Sequence, residues 1–225
     1  MNLSYTMLHK KIPSDLITEI KSITEENANI ISHAAGLILF LLSTPFLINL
    51  ASKTADTLVL WGTIIYCITL LMVYSSSTLY HQSSIVSTRK KLRIFDHICI
   101  YFLIAGTYTP LILKHLQGTV GWTTLIALWS TVLIGSIFKL FFTHKFKLIS
   151  TLAYLGMGWA ALFIIKPLYE SAPTISLISI GIGALSYTIG TFFYLRKNMY
   201  LSHLIWHLFV LGGSISHFIA IWMCF

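Results

Sequence analysis

Two histidines four residues apart, His203 and His207, open the last apolar run of the chain. On an α-helix that spacing puts both imidazoles on one face about one turn apart, so two nitrogens can reach one metal ion. Helical zinc sites use His-x-x-x-His pairs for this reason. His81 ends an earlier apolar run and can supply a third nitrogen. Three protein nitrogens with a fourth position left for water or substrate is the arrangement of a catalytic zinc site, and neutral imidazoles favour zinc over magnesium or calcium. Ser77 precedes His81 by one turn on the same face, placed to touch a bound water or a group that orients it. Asp96 begins the next apolar run. A carboxylate at membrane depth is costly and marks function by default. Beside a metal-activated water it can act as base or hold the water in place.

Each of these residues alone has a plainer reading. A single histidine at a helix end is usually an interfacial residue with a satisfied hydrogen bond, and Asp96 can pair with Arg93 or a nearby lysine. The metal reading rests on whether the elements bring His81, Asp96, His203 and His207 to one depth.

Those elements are membrane spans. Of the 225 residues, 56% are hydrophobic and only 10% are charged, and the mean hydropathy is +0.80. Soluble domains run nearer a quarter charged. A spanning helix needs about 20 mostly apolar residues, and seven such runs are legible, at about 30–51, 57–80, 97–115, 120–141, 148–168, 174–195 and 202–224. The expected fold class is an all-α integral membrane protein: a seven-helix bundle over 29–225 behind a polar tail, 1–28. The tail lacks the apolar core of a signal peptide. Its stretch 12–28 carries Ile12, Leu16, Ile17, Ile20 and Ile23 at roughly helical spacing, which fits a surface helix or a frayed tail. Thr107-Tyr108-Thr109-Pro110 interrupts the third run, where the proline kinks the helix or frees a carbonyl. Gly181, Gly183, Gly212 and Gly213 allow close helix approach. Cys67, Cys99 and Cys224 lie scattered in apolar runs, so neither a disulfide framework nor a thiolate metal site is expected.

The net charge of +8 is no nucleic-acid signal, because the basic residues sit in short segments between spans. Twelve of the 15 Lys and Arg fall in the N-terminal tail and after the second, fourth and sixth spans. Only Lys53, Lys114 and Lys166 fall on the other side. That bias predicts a cytoplasmic N-terminus and an extracytoplasmic C-terminus. It brings His81, Asp96, His203 and His207 to the cytoplasmic ends of their helices.

The other histidines rank lower. His97 points about 100° away from Asp96. His9, His115 and His144 read as solvated. His33 reads as helix packing or as a residue behind the metal ligands. His217 lies about 15 Å deeper than His207 and is expected to make a buried interhelical hydrogen bond.

Taken together, Ser77-Thr-Leu-Tyr-His81, Asp96-His97, Ala105-Gly-Thr-Tyr-Thr-Pro110, Gly156-Met-Gly-Trp159 and His203-Leu-Ile-Trp-His207-Leu-Phe-Val resemble the bacterial hemolysin III proteins. These group with the progestin and adiponectin receptors. Glu26-Asn-Ala-Asn29-Ile-Ile-Ser-His33-Ala-Ala-Gly36 is similar too, with Ser32 where Thr is commoner. The resemblance covers nearly the whole chain from about residue 25. It implies seven helices in a bacterial cytoplasmic membrane, zinc on His81, His203 and His207, and Asp96 and Ser77 near the water such a zinc carries. Eukaryotic relatives are linked to ceramide hydrolysis, and the wider superfamily includes alkaline ceramidases. The expectation is a zinc-dependent hydrolase of a lipid amide or ester bond, with a membrane lipid as partner and no nucleic acid. The alternative is a pore-forming, membrane-homeostasis or receptor-like protein with structural zinc, although nothing in the sequence looks like a lytic pore.

Overall fold

A computed structural model describes residues 14–143, 145–196 and 199–225, with side chains from Lys21 onward. The expectations for His9, Lys10, Lys11, Ile12, His144 and Lys197, and for the side chains of Leu16, Ile17 and Ile20, lie outside the described residues. Among the described residues every regular element is helical. Helices α1 (Ser14–Ser52), α2 (Thr57–Gln82), α3 (Val86–His115) and α4 (Thr119–Phe142) are followed by α5 (Lys147–Gly158), a 3-10 segment (Trp159–Ile164) and α6 (Ile165–Ser171). The chain ends with α7 (Thr174–Leu195) and α8 (Ser202–Trp222). With α5 to α6 counted as one span, seven helical stretches among the described residues are long and apolar enough to cross a membrane.

Packing between neighbours runs α1–α2–α3 and α7–α8, and α1 also packs against α8. The α5–α6 span touches α3 and α7, which closes the ring, and α4 lies against α3. Outward-facing apolar side chains such as Phe141 and Phe163 stay exposed, as lipid-facing residues do.

Two boundaries differ from those read in the sequence. The stretch taken as tail or separate surface helix is the first part of α1, which runs unbroken from Ser14. No glycine or proline interrupts residues 14–35, so nothing stops the helix where hydropathy falls. Likewise α3 begins at Val86, not near 97. Arg89, Lys90, Lys91 and Arg93 are therefore helical; they are good helix formers whose heads can reach water. Both extensions carry polar residues into the bundle end that holds the histidines.

The third span runs through Pro110 without a break, and the fifth span is the broken one. Pro167 cannot donate to a carbonyl four residues back and crowds it, and Gly156 and Gly158 are poor helix formers; between them the backbone tightens into the 3-10 segment. Tyr108 satisfies that segment. Its phenol donates to the Gly158 carbonyl at 2.7 Å and accepts from the Ala161 N–H at 2.8 Å. Trp129 Nε1 donates to Thr109 from α4, so this part of α3 holds two neighbours. Tyr108→Phe is expected to leave two backbone groups unpaired in the bundle, at about 1–3 kcal/mol each. A lower thermal midpoint in detergent would show it, with the exposed Tyr169→Phe as control; an unchanged midpoint would remove this role from Tyr108.

Gly183 and Gly213 do permit close approach of α7 and α8. A Cβ on Gly183 would stand 2.2 Å from the His217 ring, and one on Gly213 would stand 2.9 Å from Tyr187. Gly181 has nothing within 4 Å and plays no such part.

Candidate metal centre

His81 lies in the last turn of α2, and His203 and His207 occupy the first turns of α8. The chain enters α8 through Leu201 in the left-handed region (φ 59). The helices place one nitrogen of each histidine within 4.8 Å of the other two. His81 and His207 are buried, and His203 is half-buried. The Nε2 atoms of His81 and His203 are 3.2 Å apart. Nitrogens sharing a tetrahedral zinc stand about 3.4 Å apart, from a Zn–N length of about 2.1 Å, so small side-chain rotations close the set around one ion.

Hydrogen bonds at the back of the rings fix which nitrogens face the centre. Glu26 Oε2 is 2.8 Å from His81 Nδ1. A carboxylate only accepts, so Nδ1 carries the proton and Nε2 keeps its lone pair for a metal. Arg89 Nη2 donates to the other Glu26 oxygen at 2.6 Å and packs over Tyr80. His207 Nδ1 lies 3.3 Å from Ser32 Oγ on α1. The three-histidine group can hold a metal ion. The donor set suits a dication: three neutral nitrogens, with the Asp96 and Glu26 carboxylates close by and one of them also paired to Arg89.

Asp96 is on α3 beside the group but is not one of the three residues whose donor atoms converge. Its Oδ1 lies 3.5 Å from the Ser76 hydroxyl, and Ser77 also contacts it. Ser76 and Ser77 are both buried on α2, about one turn before His81. The structure thus sets both serines against the carboxylate, where the sequence singled out Ser77.

Glu26 is the residue that sequence reasoning missed. The sequence singles out Asp96 and leaves Glu26 in the polar tail, 1–28. Its signal was available: Glu26, Asn29 and His33 recur at helical spacing on the face of α1 that turns out to meet α8. His33 is 4% exposed, and its ring meets His207 edge-on at 3.9 Å between centroids. Neither His33 nitrogen has a hydrogen-bond partner among the described residues. His97 sits on another face of α3 from Asp96, within 3.4 Å of the Tyr194 hydroxyl. His217 lies 3.2 Å from the Ile180 carbonyl, the interhelical bond expected of it. His115 differs from expectation: it ends α3, partly covered, with Nε2 buried. Asp56 is an N-cap, accepting from Leu58 and Val59 at the start of α2.

A multi-pass membrane protein with three histidines converging at one end of its helix bundle is the class that fold and site define. The family model described as "Haemolysin-III related" matches residues 21–218. The chain belongs to that family. It is 42% identical over 200 residues to a "Hemolysin-3 homolog" of Bacillus subtilis (strain 168), covering 89% of this chain and 94% of that protein. It is 40% identical to "Hemolysin-3" of Bacillus cereus, covering 88% and 91%. The human "Monocyte to macrophage differentiation factor" is similar at 27% identity, covering 88% and 83%. No solved structure matches significantly.

Proposed function

We propose that the chain is a zinc-dependent hydrolase of a lipid amide or ester bond, working within a bacterial cytoplasmic membrane. The observation that carries the reading is an apolar cavity that ends beside the histidines. It is a narrow cavity of about 110 Å³, partly open at the surface. Its walls are apolar side chains of α3, α5–α6, α7 and α8, among them Leu103, Leu111, Ile180 and Val210. Tyr194 and Trp206 line its histidine end, and the Tyr194 ring lies 6.4 Å from that of His203. An acyl chain in this space would bring its head to the three-histidine group. When bound, zinc supplies a Lewis acid that polarises a carbonyl and makes water acidic. With such an ion held there, Asp96 would take the proton of the attacking water and return it to the amine or alcohol that departs as the amide or ester bond breaks, with Ser76 and Ser77 holding the carboxylate in position. Glu26 holds the His81 ring, and Arg89 holds Glu26. The test is turnover of ceramide and of phospholipid by purified protein with its zinc content measured; full zinc with no turnover of either would overturn the reading.

The second reading, a haemolytic pore or homeostasis protein with structural zinc, has one observation in its favour. His33 lies against His207 with both ring nitrogens unpartnered among the described residues. If it swung in as a fourth ligand, the site would be closed, as structural zinc sites are.

The orientation is part of the proposal, and the charge bias supports it. Reporter fusions within 84–93 are expected to register as cytoplasmic and fusions at the C-terminus as extracytoplasmic. Both reporting the reverse would put the histidines at the outer face.

A further inference from the structure

We propose that Tyr194, held by His97, binds the carbonyl oxygen of a long-chain amide or ester whose tail lies in the apolar cavity. Tyr194 stands in the last turn of α7 and lines the histidine end of the cavity beside Trp206. The other hydroxyl groups in the cavity wall are committed. Its four threonines donate to carbonyls of their own helices. Tyr108 donates to the Gly158 carbonyl, and Tyr154 donates to the His97 carbonyl. Tyr187 pairs with Ser214 at 2.8 Å, and it lies about two turns before Tyr194 on α7, away from the three-histidine group. Tyr194 differs from all of these. Among the described residues the hydrogen-bond partner of its hydroxyl is an imidazole nitrogen, His97 Nε2, at 3.4 Å.

Which group gives the proton in that contact follows from the far side of the imidazole. A neutral imidazole carries one N–H. His97 Nδ1 is buried with no partner among the described residues. With the proton on Nδ1, a buried N–H is orphaned and the Tyr194 proton is spent on Nε2. With the proton on Nε2, His97 donates to the phenol oxygen, and only a lone pair on Nδ1 goes unused. Orphaned buried N–H groups are rare, and unused acceptors less so. The second arrangement is the better one, and in it Tyr194 keeps its own O–H for a ligand. The ring is also fixed in place. The Lys147 ammonium of α5 stands 3.7 Å from its centroid, and the Trp206 and His203 rings of α8 lie 5.3 and 6.4 Å away. A hydroxyl on a ring held from α3, α5 and α8 loses little freedom when it binds.

The position decides what the hydroxyl meets. The cavity wall is mostly apolar and takes a hydrocarbon tail, so the first polar atom of such a chain lies at the histidine end. A phenol proton pairs with an acceptor, and the acceptor that amides and esters share is a carbonyl oxygen with two lone pairs. One lone pair accepts from Tyr194, and the other faces the three-histidine group. As water adds to the carbonyl carbon, the C=O π pair moves onto that oxygen and Asp96 takes the water's proton. Tyr194 gives up no proton; its hydrogen bond strengthens as charge grows on the oxygen. As a statement about turnover this rests on the hydrolase reading; as a statement about binding it does not.

The experiment reads binding first. Full-length protein as purified is placed in nanodiscs of ether-linked phosphatidylcholine, which brings no carbonyl of its own. It is titrated with 2-tridecanone, a carbonyl chain that cannot be hydrolysed, and with tridecane, which lacks the carbonyl. Tyr194→Phe keeps the ring and is expected to bind the ketone about 3- to 10-fold more weakly, the scale of one neutral hydrogen bond, and to bind tridecane as wild type does. His97→Leu is expected to lose part of the ketone affinity and nothing further when combined with Tyr194→Phe. His97→Gln, whose amide still donates, is expected to restore it. The exposed Tyr169→Phe is the control and is expected to change neither affinity. Unchanged ketone affinity in Tyr194→Phe, or equal losses for both probes, overturns the proposal; additive losses in the double variant overturn the part played by His97. Turnover is then read on the same preparations, where Tyr194→Phe is expected to lower kcat about 10²-fold at full zinc content, the scale of one donor to a developing oxyanion. No turnover by wild type refutes the hydrolase reading and leaves the ketone titration to decide this one; wild-type turnover kept in Tyr194→Phe removes the hydroxyl from the reaction.

Discussion

Purified protein is expected to carry about one zinc per chain, and the double substitution His203→Ala with His207→Ala to carry none. Removing two of three nitrogens leaves His81 alone, which cannot hold the ion against water. Metal analysis after gel filtration reads this directly, and full zinc in the double variant would refute the ligand set. His217→Ala is the control: its ring is committed to the Ile180 carbonyl and lies deeper along α8, so zinc is expected to stay. His33→Ala decides whether the site is open. Retained zinc leaves three protein nitrogens and a free position; lost zinc makes His33 a fourth ligand and favours a structural ion. Glu26→Gln keeps a hydrogen-bond acceptor but loses charge and can present the wrong group to His81 Nδ1. Affinity is expected to fall about 10- to 100-fold, the usual effect of disturbing a group that orients a ligand. A chelator is expected to lower the thermal midpoint of wild type and not that of the double variant, because zinc binding to the folded state adds to its stability.

The sequence carries the spans plainly, because a run of about 20 apolar residues has one physical solution in lipid. The histidine pair is legible for a similar reason: a spacing of four on a helix has a fixed geometry. Glu26 was hidden by the opposite circumstance. It sits where hydropathy falls, and hydropathy reports the edge of the lipid, whereas the helix continues for as long as nothing breaks it. Only when α1 is seen to start at Ser14 and α3 at Val86 does Glu26 come within reach of His81, and Arg89 within reach of Glu26. The break in the fifth span was hidden because it depends on a phenol from another helix. Pro167 signals a disturbance, but that Tyr108 supplies the missing partners is a tertiary fact. The buried Lys139 read as one more basic residue in the topology count. Its depth follows from how α4 lies against α3 and α5, which no local pattern encodes.

Asp96→Asn is expected to leave zinc near full occupancy while lipid hydrolysis falls by about 10²–10⁴-fold, the scale of general acid–base catalysis. The motivating geometry is a carboxylate set beside the three-histidine group, with its own atoms outside the converging set and Ser76 within 3.5 Å. Asparagine keeps the size and a hydrogen-bonding oxygen for the serines but cannot take a proton from water. Three outcomes are distinct. Zinc kept and turnover lost makes Asp96 the base. Zinc and thermal stability lost together make it a ligand or a charge that retains the ion, since an uncompensated dication among neutral imidazoles binds more weakly. Zinc and turnover both unchanged end the catalytic role and leave Asp96 a structural acid. Ser77→Ala sharpens the first outcome, because it removes a contact to the carboxylate and leaves the carboxylate itself. Its loss of turnover is expected to be smaller than that of Asp96→Asn, and a larger loss would move the reacting proton from Asp96 to the serine. Zinc content and ceramide or phospholipid turnover, measured on one preparation of each variant, separate these cases.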